Sequence, residues 1–398
     1  VALAAIPAAA DDVDSEPGSP SASVATSASA SPSASAFDGV QVHGFVSQGF
    51  LLTTGNEYLA KDSTKGSPQF SEVGINFTKE LTDSLQLGVQ LFAKDLGWSG
   101  NYDAQFDWLY LDYRWQDWLG VRLGRLKIPY GLHNEIQDID SARVPVLLPG
   151  SVYPPQTREI WFAQTGAELH GFIRSDVLGA LDYRLFAGSI YLDSAGLTPV
   201  GASFEADLDV RYVFGGRLIW ETPLDGLRVA FTAEKLRLDT AAILPTGMPV
   251  PQINIESHVW LWAASTEYAV DELTLTAEYT RGYSDQSSDQ PMFSPPIDET
   301  SENLYGMVTY RVTPWLFPGA YYALHFPDTR QRKGRESFQH DAALTLRFDV
   351  NQYSLIKLEG HYMYGTAGLL NPLRFNPPDV TRAEEHWAVF LAKVTAYF

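Results

Sequence analysis

The chain predicts an all-β protein, an antiparallel up-and-down barrel of sixteen strands that crosses a membrane. Three observations carry that expectation. Segments alternating apolar and polar residues recur from about Val40 onward, each near the roughly ten residues that a tilted strand needs to cross a bilayer. The connections between them alternate between short and long. Aromatic residues gather at the short connections, where a membrane interface would hold them.

Taken in order, short turns are expected at Thr82–Ser84, Gln116–Trp118, Ser175–Ala180, Thr222–Gly226, Val270–Glu272, Thr313–Trp315 and Asn351–Tyr353. Longer, polar or Pro/Gly-rich connections fall between them at Gly55–Gly66, Gly97–Asn101, Gly131–Glu159, Ser194–Asp207, Ala241–Glu256, Asp285–Ser301, Asp328–Glu336 and Thr366–Thr381. Seven turns and eight loops delimit sixteen strands, with both chain ends on the short-turn side. The faces read cleanly in several strands. Leu85, Leu87, Val89 and Leu91 oppose Gln86, Gly88, Gln90 and Lys94; Leu273, Leu275, Ala277 and Tyr279 oppose Thr274, Thr276 and Glu278; Leu344, Leu346 and Phe348 oppose Asp341, Thr345 and Arg347. A soluble sandwich also alternates. The girdle separates the two, because Trp115, Trp118, Trp220, Trp315, Phe317, Tyr353 and Tyr397 sit at turns instead of being spread through a core.

Composition agrees. Aromatics make up 13% of residues while mean hydropathy is only -0.13, and no apolar run approaches the ~18 residues of a membrane-spanning helix. A barrel gives such values because half of each strand faces a polar lumen. With no cysteine, thiolate metal sites and disulfides are excluded, and a net charge of -20 makes nucleic acid an improbable partner. No cofactor is expected. Residues 1–10 read as the end of a signal segment, with Ala8 and Ala10 in the small-residue pattern that precedes cleavage. Residues 11–37 run through an acidic patch into repeated Ser, Ala and Pro, a composition that cannot bury enough apolar surface to order itself. The barrel is then expected over 38–398.

In the last strand Ala388, Phe390, Ala392, Val394, Ala396 and Phe398 share one face, against Glu385, Lys393 and Thr395 on the other. This resembles the closing strand of bacterial outer-membrane barrels. The resemblance implies that Phe398 is read by the barrel assembly machinery, that both termini are periplasmic, and that lipid and lipopolysaccharide surround the wall.

The third loop, Gly131–Glu159, is 29 residues long yet rich in groups that need burial, namely Val144, Val146, Leu147, Leu148, Val152 and Tyr153, and it is stiffened by Pro145, Pro149, Pro154 and Pro155. Loops beyond about 15 residues are usually functional or disordered, and this composition is not that of disorder. It should fold against the nearest concave surface, the barrel interior. The run VRLGRLKIPYGLHNE, Val121–Glu135, followed by SVYPPQTRE, resembles bacterial porins of the phosphate-selective and dicarboxylate types. That resemblance implies an inward constriction loop, a homotrimer and small anionic solutes.

The strand entering the loop carries Arg122, Arg125 and Lys127, which strict alternation cannot put on one face. A bulge at Gly124 would reset the register and turn all three to the lumen. Parity assigns further lumen bases at Lys94, Arg114, Arg174, Arg184, Arg211, Arg217, Arg228, Arg311, Arg347, Lys357 and Lys393, outnumbering lumen acids at Glu72, Asp112, Glu168, Asp182, Asp209, Glu234, Glu278 and Glu359. A net-positive lumen favours anions. At the constriction Arg122, Arg125, Lys127 and Arg143 are expected to face Glu135, Asp138 and Asp140, giving a transverse field.

Other functions are weaker fits. There is no H-E-x-x-H pair, no G-x-S-x-G elbow and no thiol, which argues against an enzyme. Arg330, Arg332, Lys333 and Arg335 in the seventh loop could grip lipopolysaccharide or a neighbouring subunit, although such runs are commonly solvated.

Overall fold

The computed structural model describes residues 39–97, 99–191, 205–244, 249–292, 294–369 and 382–398. The expected signal remnant and the Ser/Ala/Pro tail lie outside the described residues, as do most of the fourth long connection and of the last one. The first strands are β1 Val40–Thr53, β2 Ser71–Thr82, β3 Leu85–Leu96 and β4 Gln105–Gln116. They are followed by β5 Leu119–Lys127, β6 Ala163–Ser175, β7 Gly179–Ile190 and β8 Glu205–Glu221. The second half holds β9 Leu227–Ile243, β10 Gln252–Val270, β11 Leu273–Ser288 and β12 Ile297–Tyr310. The last four are β13 Leu316–Phe326, β14 Gln339–Asn351, β15 Ser354–Gly365 and β16 His386–Tyr397. A two-residue strand, Ser99–Gly100, adds a rung to β3. Each long strand pairs antiparallel with its chain neighbours, and β1 pairs with both β2 and β16, so the sheet is a closed sixteen-strand barrel.

The wall is inside out relative to a soluble protein. Phe50, Leu111, Leu123, Leu185, Phe231, Leu344 and Val394 are exposed, while Ser47, Gln90, Asp112, Glu168, Thr276 and Lys393 on the alternate positions are buried. Exposed bulk apolar residues on one face of every strand are what a hydrocarbon solvent demands. Trp115, Trp118, Trp220, Trp315 and Tyr353 are exposed at the short-turn end. Two expected girdle members are not there. Phe317 pairs with Arg347 and lies under its guanidinium at 5.1 Å, and Tyr397 pairs with Phe45, so register turns both to the inner face.

Strands β8 to β11 hold 16 to 19 residues, against 9 to 14 in the others. Connections expected at 241–256 and 285–301 therefore shrink to 244–251 and 289–296. Several outward positions of the added rungs are ionic. Arg211 meets Asp239 at 2.7 Å and Asp209 at 3.2 Å, and Arg237 meets Glu256 at 2.7 Å. Arg211 and Asp209 are thus outside the lumen, contrary to their parity. The cause is a bulge: Arg237 pairs with Tyr212 but Leu238 with Val210, so Arg211 is the extra residue and every position before it changes face.

The Gly124 bulge is absent. Register runs unbroken from Arg122 to Arg125 against both neighbours, although Gly124 itself takes φ 132° and a Cβ there would lie 2.1 Å from the Leu109 carbonyl oxygen. The shift lies one strand away, where β3 pairing skips Asp107.

Candidate functional site

Loop 3 connects β5 to β6 over residues 128–162, and its sequence explains its compactness. Prolines limit its conformations, short 3₁₀ turns form at Asn134–Ile136, Asp140–Ala142 and Pro155–Thr157, and a helical turn covers Arg158–Trp161. Leu148, Val152 and Tyr153 pack with Val213, Leu236, Leu261, Tyr305 and Tyr321 of the wall, while Val146 packs with Tyr58, Met363 and Trp387. Gly131 is required at its start. Its φ is 54°, and a Cβ would stand 2.4 Å from the Tyr153 hydroxyl and 2.6 Å from the Glu278 carboxylate.

The three loop acids each meet wall cations. Glu135 pairs with Arg184 of β7 and, at 2.7 Å, with Arg217 of β8. Asp138 takes Lys127 at 3.0 Å and the Gln90 amide at 2.9 Å. Asp140 takes Lys393 of β16 at 2.7 Å, Lys357 of β15 at 3.3 Å, Arg143 at 3.0 Å and the Thr395 hydroxyl at 2.6 Å. Burial alone would raise these carboxyls. The neighbouring cations outweigh it: Arg184 and Arg217 hold Glu135 well below the usual carboxylate range, Lys127 and Arg158 lower Asp138, and Lys393, Lys357 and Arg143 hold Asp140 far down.

Two wall carboxylates receive the loop backbone. Glu359 accepts the Val146 and Leu147 amides at 2.7 and 2.9 Å, and Glu278 accepts the Leu132 amide at 3.0 Å together with the hydroxyls of Tyr153 and Tyr305. The Gly131 amide donates to Thr232 at 3.2 Å, and Arg347 donates to the Ser141 carbonyl at 2.7 Å. These partners stand on β7, β8, β9, β11, β14, β15 and β16. They are inward side chains spread around much of the closed ring.

The remaining expected site residues stand apart from the loop acids. Arg122 is inward and bridges Asp112 at 2.8 Å and Glu168 at 3.0 Å, away from the loop acids. Arg125 shares a rung with outward Leu109 and donates through Nε to the Asp107 carbonyl at 3.1 Å, so register does not bring it to Asp138 or Asp140. Lys94 is buried on the inner face. Arg114 and Arg174 are inward near the short-turn end, exposed, and form no ion pair among the described residues. Phe398 is exposed, with its amide and carbonyl both bonded to Gly44 at 3.0 Å.

The surplus of lumen bases expected from parity is therefore largely taken up by carboxylates at the level of loop 3. Sequence reasoning placed Glu278, Glu359 and Lys357 in the lumen but not as loop anchors, and it missed Arg158, which meets Asp107 at 3.1 Å and stacks on Phe162 at 3.5 Å. The available signal was charged residues on the inward parity of strands far along the chain.

The closed ring, the apolar outer wall and the charged interior loop define the fold of outer-membrane barrels. No protein-family model and no curated protein matches the chain in sequence. Solved structures do match in fold. The outer-membrane protein OmpT of Vibrio cholerae has a TM-score of 0.56 at 10% identity, covering 90% of this chain and 97% of that one. An anion-selective porin from Comamonas acidovorans gives 0.55 at 14% identity, covering 90% and 99%. OmpF of Salmonella typhi, solved in complex with daunomycin, gives 0.53 at 14% identity, covering 91% and 98%.

Proposed function

We propose that the chain is a porin of a bacterial outer membrane, a water-filled channel for passive diffusion of small hydrophilic solutes, with loop 3 as its constriction. The observation that carries this reading is the set of loop acids tied across the interior to wall cations, Glu135 to Arg184 and Arg217, and Asp140 to Lys357 and Lys393. Such a fixed array narrows a bore and sets up a transverse field. Preference for anions is part of the proposal, resting on the exposed inward guanidinium groups of Arg114 and Arg174. A homotrimer with periplasmic termini fits the same reading, as one solved OmpT structure is a trimer form. So does recognition of Phe398 by the assembly machinery.

Catalysis plays no part in it. His361 lies between Asp341 at 2.9 Å and Glu359 at 3.0 Å, and Glu359 is occupied with the loop backbone. The basic cluster of the seventh loop supports a solvated face more than a lipopolysaccharide grip, since Arg330 is paired with Asp328 and Asp298 and Arg332 with Glu302. Purified protein in a planar bilayer should carry discrete ion currents, with a reversal potential in a salt gradient of the sign for anions. Absence of current would end the channel reading, and cation preference would end the anion part alone.

A further inference from the structure

On the long-loop side of loop 3 the interior opens into a cavity of about 620 Å³ whose chemistry differs from the ring of charge beside it. Its walls include Tyr58 of the first loop, Tyr130 and Trp161 of loop 3, and Trp387, with Leu261 and Met363 between them. The rings are held rigidly. Tyr58 meets Trp387 edge-on at 5.4 Å, and the Trp387 indole donates to the Gly365 carbonyl at 3.0 Å. That volume is in the range of sites for drug-sized molecules.

The charged lining of the cavity is mainly acidic. Glu299 and Asp341 line it. Asp341 is engaged by His361 at 2.9 Å, but Glu299 is exposed and makes no hydrogen bond or ion pair among the described residues. The lining arginine, Arg281, alternates with buried inward Thr280 and lies over the Tyr283 ring at 5.7 Å, on the other side of the strand. The lining histidine, His325, is bonded to Asn303 at 2.6 Å. The cation whose field reaches Glu299, Arg330, is already paired with Asp328 and Asp298, so an anion would meet net negative charge, whereas an ammonium group would find an acceptor near the partly exposed ring of Trp161.

We propose that this vestibule is a binding site for solutes carrying a planar aromatic ring and an ammonium group, with the ring against Trp161, backed by the buried Tyr58, Tyr130 and Trp387, and the cation at Glu299. It rests on the channel reading only in taking the cavity as open to solute. Occupancy there would hold a cationic aromatic at the entrance, ahead of the loop 3 ring.

The test is titration calorimetry on the refolded barrel in detergent, which needs no conduction, using tryptamine, neutral 3-methylindole and anionic indole-3-acetate as probes. Tryptamine should bind about tenfold more tightly than indole-3-acetate, the scale expected of one charged contact joined to cation–π stacking. Glu299→Gln should abolish that preference and leave 3-methylindole unchanged, and Trp161→Leu should weaken all three. Equal affinities for the cation and the anion, an unchanged preference in Glu299→Gln, or no binding of any probe would overturn the proposal. Ion current without binding sinks this site alone, and binding without current sinks only the channel.

Discussion

The loop 3 ring and the vestibule beside it are built from opposite materials. In the ring, nearly every charge is spent: Asp140 alone engages Lys357, Lys393, Arg143 and Thr395, and Lys357 also donates to the Pro145 carbonyl at 3.0 Å. In the vestibule the lining is mostly apolar, and the exposed carboxylate of Glu299 makes no ion pair among the described residues. Charge in this interior therefore has two jobs. Paired and buried, it holds a loop in place; single and exposed, it is free to act on a solute.

The hardest break is Asp140→Ala. It leaves Lys357 and Lys393, both almost fully buried, without their shared acid, a change that typically costs about 3–5 kcal/mol. The barrel should still form, because its strand pairing does not involve Asp140, but loop 3 should become cleavable by trypsin at Arg143. Protection equal to that of the native chain would mean that apolar packing, not charge, holds the loop. Tyr153→Phe comes next. It removes the hydroxyl that accepts the Leu132 and His133 amides and donates to Glu278, so thermal stability should fall by an amount corresponding to about 1–3 kcal/mol.

Acid should act on the ring with a delay. Carboxyls held below their ordinary range contribute stability above the unfolded value, and that contribution is lost only as pH falls through the lower folded value. For Glu135, Asp138 and Asp140 the loop should stay trypsin-resistant after preincubation at pH 7 down to about 4, where free carboxylates already titrate, and should be released only in stronger acid. Release near pH 5 would contradict the pairing. The smallest effect is expected at the short-turn end, where Arg114→Ala with Arg174→Ala should shift the reversal potential toward zero while leaving the stability of the loop unchanged.

The strands are legible in the sequence because alternation and connection length are local: Thr82–Ser84 and Val270–Glu272 sit where the turns form. Faces are legible only until the register slips. The bulge at Arg211 depends on how β8 meets β9, which no single strand records, and the same holds for Asp107 between β3 and β4. The need of Val146 and Tyr153 for burial can be read directly, but not where they are buried. Val146 bonds to Glu359 and Tyr153 to Glu278, partners 213 and 125 residues away that only closure of the ring brings near.

Single-channel conductance of the Glu135→Gln, Asp140→Asn double variant, compared with the native chain, bears most directly on loop 3 as a charge-held constriction. With its anchors weakened and the barrel intact, the variant should pass current at a higher unitary conductance and with frequent transitions between levels. An identical, quiet conductance in the two proteins would contradict the account.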